Sequence, residues 1–226
     1  MSYPDYTREE RIADYIVHVV GVCAALTATV FLLSLGSDGL RPGTYIAALV
    51  YTTGMILMLS ASAAYHMGAH TQARPWLRRI DHAAIYIKIA ATLTPLAVLL
   101  GTRAGYLVLA VIWALALAGA LSKLRAARGK MSVGWMPQVG LGWLGILLIV
   151  PLWSDLPHNS VALILAGGLI YTGAVVFYCW ENLKYCNALW HVCVLVATAC
   201  CFLGISTALT HKGAAEAAQP VTEALP

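Results

Sequence analysis

Ser62 and His66 stand four residues apart at the end of an apolar run, so a helix would put them on one face, one turn from each other. Asp81-His82 opens the next apolar run, and Asn187 and His191 repeat the four-residue spacing near the start of the last one. His18 lies inside the first run. Ionisable groups are costly inside membrane spans, so these residues are functional candidates. Imidazole nitrogens suit zinc, which in catalytic sites takes about three protein ligands and a water. His66 and His191 are the core ligands that this pattern supports. Asp81 could serve as a base, bind through water or orient a ligating histidine. Ser62, one turn deeper than His66, could donate to a developing oxyanion.

Each residue also has a plainer reading. Asp81 could simply complement a helix N-terminus, and Ser62 could be a small helix-contact residue. His18 reads as a packing group, or one set behind the ligands. His82 points about 100° away from Asp81 on a helix, so it too reads as set behind them. Lys88 lies seven residues after Asp81, two turns deeper on the same face. At that depth it either snorkels to an interface or meets a partner such as a carboxylate.

The elements that must position these residues follow from composition. The 226 residues are 60% hydrophobic and 11% charged. A soluble domain is about 25% charged, so this is a membrane protein by composition. Seven apolar runs, at 15–35, 44–66, 80–101, 105–122, 133–153, 160–180 and 187–210, each approach the roughly 20 residues that a spanning helix needs. The expected fold is all-α: a seven-helix bundle after a polar lead-in at 1–14, with a disordered tail at 211–226. The seams carry turn residues, among them Gly36-Ser37-Asp38-Gly39.

The mixed-charge start does not read as a signal peptide. Six cysteines in or beside apolar runs read as reduced, packed thiols. Arg8, Arg11, Arg74, Arg78, Arg79, Lys123, Arg125, Arg128, Lys130 and Lys184 fall on one side of the seven runs. Arg41, Arg103 and Lys212 fall on the other. The positive-inside rule then puts the N-terminus in the cytoplasm and the C-terminus outside. His18, His66, Asp81, His82 and His191 would converge on the cytoplasmic side. No phosphate loop or nucleic-acid surface is present, and the basic loops read as topology signals and anionic-lipid contacts.

Several of these stretches carry a resemblance. Ser62-x3-His66, the stretch from Leu77 to Tyr86 around Asp81-His82, Trp190-His191 with Phe202, and His18-Val19-Val20-Gly21 resemble the hemolysin III branch of the progestin and adipoQ receptor family. The resemblance covers residues 8 to 210. It implies seven helices, a cytoplasm-side zinc held by three histidines, and kinship with alkaline ceramidases. It therefore implies metal-assisted hydrolysis of an amide in a lipid-like substrate, with membrane lipids as partners. Two of the family's histidine positions hold Asn187 and Cys201 here, and Lys88 stands where the family is apolar. Only His66 and His191 carry over as ligands, with the Asn187 carbonyl as a weak third. A non-enzymatic lipid sensor or homeostasis protein with a degenerate metal site is the alternative. Oligomeric state is left open.

Overall fold

The computed structural model describes residues 6–36, 40–126, 134–180 and 182–217, and all the regular elements among them are helices. In chain order these are α1 (Arg8–Gly36), α2 (Pro42–Met67), α3 (Arg74–Leu100), α4 (Arg103–Arg125), α5 (Met136–Trp143), α6 (Ile146–Leu152), α7 (His158–Cys179) and α8 (Cys186–Ala217). Six are long and apolar enough to cross a membrane, and Met136–Leu152 is a shorter apolar stretch. The expected turn at 36–39 falls mostly outside the described residues, and Arg128 and Lys130 lie wholly outside them.

The first helix starts earlier than its hydropathy indicates. Thr7 and Glu10 form a reciprocal cap: the Thr7 amide donates to Glu10 Oε2 at 2.9 Å, and the Glu10 amide donates to Thr7 Oγ1 at 3.3 Å. Such a box satisfies donors that a helix start leaves open. Residues 8–14, expected as a lead-in, are therefore the opening turns of α1. They carry Asp14 into the bundle, where it is 4% exposed.

α3 and α4 are joined by two residues. Gly101 ends α3 in the left-handed region (φ 63°), with its amide donating to Ala97 O at 3.1 Å. Glycine suits this position because a Cβ there is strained. Thr102 then caps α4 by accepting from the Gly105 amide at 3.1 Å.

The fifth apolar run departs from expectation. In place of one span at 133–153 there are two short helices, broken at Leu144 and Gly145. The Gly145 amide turns back to Gly142 O at 3.0 Å, a tighter bond than a regular helix makes. Three glycines within six residues (Gly140, Gly142, Gly145), with Pro151 beyond, weaken the helix where it breaks. At the other end, 211–217 continue α8, although sequence places a disordered tail there. The rest of that tail lies outside the described residues.

α3 is the central element: it packs on α2 and α4 and also touches α5, α6 and α8. α1 closes against both α2 and α8, and α7 lies along α8. α1 and α4 show the least burial along their apolar windows, as expected of lipid-facing helices. All six cysteines lie outside any disulfide. With α1 beside both α2 and α8, one end of the bundle gathers the start of α1, the end of α2 and the start of α8.

Candidate metal centre

Three helices each bring two polar side chains, four residues apart, to one point. α1 supplies Asp14 and His18, α2 supplies Ser62 and His66, and α8 supplies Asn187 and His191. Residues at this spacing are neighbours on a helix surface, so each helix contributes one polar face. The imidazoles pack against one another as a triangle. Ring centroids lie 4.6 Å apart for His18 and His66, 4.3 Å for His18 and His191, and 4.6 Å for His66 and His191. His18 and His66 are buried, as are Asp14 and Ser62.

Hydrogen bonds fix which nitrogen of each ring carries a proton. His18 Nδ1 lies 2.7 Å from Asp14 O, and His191 Nδ1 lies 2.8 Å from Asn187 O. A carbonyl oxygen only accepts, so both Nδ1 atoms carry protons, and in the neutral rings both Nε2 atoms present lone pairs. His66 Nδ1 lies 3.0 Å from Asp14 Oδ2, which also calls for a donor. Asn187 donates its side-chain NH2 to Asp14 Oδ1 at 2.7 Å. The 3.1 Å approach of that nitrogen to His66 Nδ1 follows from both groups donating to one carboxylate. Asp14 also lies 3.4 Å from His18 Nδ1 and 3.7 Å from His191 Nδ1. One carboxylate thus faces the proton-bearing side of all three rings. A carboxylate behind metal-bound histidines fixes ring orientation and raises ligand basicity in this way.

The opposite side of the triangle is where lone pairs collect. Ser62 Oγ lies 3.2 Å from His18 Nε2 and 3.3 Å from His191 Nε2. It has one proton for two acceptors, so one of those lone pairs stays free. One ring nitrogen from each histidine lies within 4.8 Å of those from the other two. Three imidazoles with their outer nitrogens tied back are, when neutral, a donor set that zinc accepts, and a fourth position would remain for water. A crevice of about 10 Å³, roughly the room of one water, lies against His18, Ser62 and His191. Its other walls are apolar: Val17, Met58, Leu59, Val194 and Leu195.

The expected residues are only partly gathered here. His66, His191 and Ser62 meet as anticipated. His18, expected behind the ligands, is instead one of the three clustered histidines. Asn187 was expected to offer its carbonyl oxygen as a weak ligand; it turns its NH2 to Asp14, because a carboxylate demands a donor. Asp81 and His82 form a pair beside the centre, with Asp81 Oδ2 3.3 Å from His82 Nδ1. The Tyr65 ring stands between, 4.8 Å from His66 and 6.5 Å from His82. Lys88, expected behind the ligands, instead bonds the Tyr171 hydroxyl deeper in the bundle.

Asp14 is the residue that sequence reasoning missed. It was counted with the solvated lead-in, yet it stands four residues before His18, the same spacing that singled out Ser62 and His66.

A family model described as Haemolysin-III related matches residues 6–202, from before Asp14 to just past Cys201. The chain belongs to the haemolysin III family. It is 33% identical over 195 residues to the protein named Hemolysin-3 from Bacillus cereus, covering 86% of this chain and 89% of that one. To the Hemolysin-3 homolog of Bacillus subtilis (strain 168) it is 31% identical over 199 residues, covering 87% and 93%. Membership and six apolar helices make this haemolysin III-family chain an integral membrane protein. Its buried cluster of histidines and an aspartate could bind a metal, and all of its members lie within the matched region.

Proposed function

We propose that this protein is a zinc-dependent hydrolase acting on an amide in a lipid-like substrate at the cytoplasmic side of a bacterial plasma membrane. The observation that carries the reading is the convergence of three imidazoles whose Nδ1 protons are all spoken for. His18, His66 and His191 would hold the ion. Bound zinc would lower the pKa of its water and polarise a carbonyl. Asp14 keeps the three rings in register, and Asn187 keeps Asp14 in place. The Ser62 hydroxyl, next to two of the three rings, is placed to donate to a developing oxyanion. Asp81 and His82, one ring away, are the groups available to hand on a proton.

Orientation belongs to the same proposal. The excess of Lys and Arg lies on the side where α1 starts and α2 ends, so the centre would face the cytoplasm. Counting Met136–Leu152 as a crossing gives seven helices and puts the C-terminus outside.

A second reading rests on the crevice itself. With room for about one water, it supports a sensor in which the cluster reports lipid or metal without turnover. The purified protein incubated with an N-acyl sphingoid lipid separates the two. Release of fatty acid by the wild type, reduced about 100-fold or more in Ser62→Ala with its zinc retained, is the expected result. Bound lipid with no release by the wild type would favour the sensor.

A further inference from the structure

The three histidines turn their free lone pairs away from the nearer end of the bundle. Asp14 and Asn187 lie one turn before His18 and His191, toward the starts of α1 and α8, and Ser62 lies one turn deeper than His66. Beyond Ser62 the crevice is walled by Met58, Leu59, Val194 and Leu195. Apolar side chains and hydrocarbon heavily penalise a hydrated divalent cation. Such an ion must arrive from the helix starts, and there contacts between α1 and α8 close the way.

Two acids on α1, one turn apart, make those contacts. Asp14 Oδ1 accepts from the Asn187 NH2 at 2.7 Å, beside the rings. Glu10, one turn nearer the end, accepts from the Tyr185 amide through Oε1 at 3.0 Å, while its Oε2 accepts from the Thr7 amide. Tyr185 has φ 62°, and among the described residues it is the only non-glycine with a positive φ. That conformation is unfavourable for a bulky residue and persists where its neighbours fix it. The Tyr185 carbonyl accepts from the Leu189 amide at 2.9 Å, in the first turn of α8. One residue therefore joins Glu10 to the helix that carries Asn187 and His191. The other two walls are fastened close to their neighbours. A Cβ at Gly54 would stand 2.5 Å from Ala91 Cβ, between α2 and α3, and one at Gly167 would stand 3.0 Å from Ala197 O, between α7 and α8. α1 is less buried along its apolar window than α2 or α8, so it is the wall with the most freedom to move.

We propose that the Glu10–Tyr185 bond is a latch on the metal centre: when it breaks, the start of α1 swings away from α8 and zinc passes between the helix starts to the histidines. The proposal rests on the reading of that cluster as a metal site. Glu10 is the outer of the two acids, so its bond opens before the one at Asp14. Release of Glu10 also relieves the strain at Tyr185, which favours opening. The bond is made with or without the ion, so the latch sets the rate of exchange in both directions and leaves the affinity alone.

The test follows zinc uptake and release by the full chain in detergent, by stopped flow with a fluorescent chelator as reporter. In Glu10→Ala both rates should rise about fivefold, the equivalent of one lost hydrogen bond, with Kd within about twofold of wild type. Thr7→Ala removes the hydroxyl of the reciprocal cap but keeps the latch, so its rates should match the wild type. Hydrogen exchange at the Tyr185 amide of the zinc-free protein should quicken in Glu10→Ala and not in Thr7→Ala. Unchanged rates in Glu10→Ala, faster release without faster uptake, or equal acceleration in Thr7→Ala would overturn the latch and leave the metal site standing. Should Glu10→Ala fail to fold, Glu10→Gln decides on the same criteria, because it keeps the shape but has one acceptor oxygen for two amides. A wild type that takes up no zinc would instead overturn the metal reading, and the latch with it.

Discussion

Asp14→Asn is expected to weaken zinc binding by about 10- to 100-fold while leaving the bundle folded. The substitution keeps the shape and removes the charge. Two donors converge on the native carboxylate: the Asn187 NH2 at 2.7 Å and His66 Nδ1 at 3.0 Å. An amide at position 14 has one oxygen and one NH2, so one of those two donors would face another donor. Either His66 gives up its Nδ1 proton or Asn187 turns away. In the first case the ring's proton moves to Nε2 and the lone pair aimed at the metal is lost. In the second, the α1–α8 contact loosens behind His191. Zinc titration against a competing chelator, on wild type and Asp14→Asn side by side, reads the loss. Equal affinities would mean that the carboxylate does not hold the rings.

A change far from the histidines is expected to be the most damaging to the fold. Gly167 on α7 lies against α8, where a Cβ would come 2.5 Å from Cys201 Sγ and 3.0 Å from Ala197 O. The carbonyl belongs to the helix backbone and cannot rotate aside. α8 makes the complementary approach at Gly204, where a Cβ would stand 2.8 Å from Ser160 O, and Ser160 Oγ donates to Gly204 O at 2.6 Å. Gly167→Val must therefore push α8 away from α7, at a cost of about 1–3 kcal/mol. The same helix carries His191, so metal binding should fall with stability. Gly168→Val is the control: nothing lies within 4 Å of a Cβ there. It should stay within about 0.5 kcal/mol of wild type by unfolding in detergent. Similar losses in both variants would show that the α7–α8 contact does not set the effect.

The six long helices were legible because a run of apolar residues near spanning length has few other uses. The broken fifth stretch was not, since mean hydropathy over the run is carried by its apolar residues and does not register how its glycines weaken the helix backbone. Asp14 was hidden by a boundary: hydropathy begins the first span at residue 15, but the Thr7–Glu10 cap begins the helix seven residues earlier, at Arg8. Moving that boundary turns a solvated acid into a buried one. His18 was visible as a residue but not as a member of the triangle, because the rotation of α1 about its axis is set by packing on α2 and α8. Lys88 was expected either to snorkel or to meet a partner such as a carboxylate, and its partner is a phenol on a helix 83 residues away. Spacing along one chain carries no information on such a pairing.

The central claim is that α1, α2 and α8 each give one imidazole to a shared ion, with Asn187 outside the ligand set. The most direct measurement is zinc content per chain in wild type, His18→Ala and Asn187→Ala, each purified in detergent after zinc loading. About one zinc per chain is expected in wild type, near zero in His18→Ala, and most of the wild-type amount in Asn187→Ala. Zinc retained in His18→Ala but lost in Asn187→Ala, or none above background in the wild type, would contradict it.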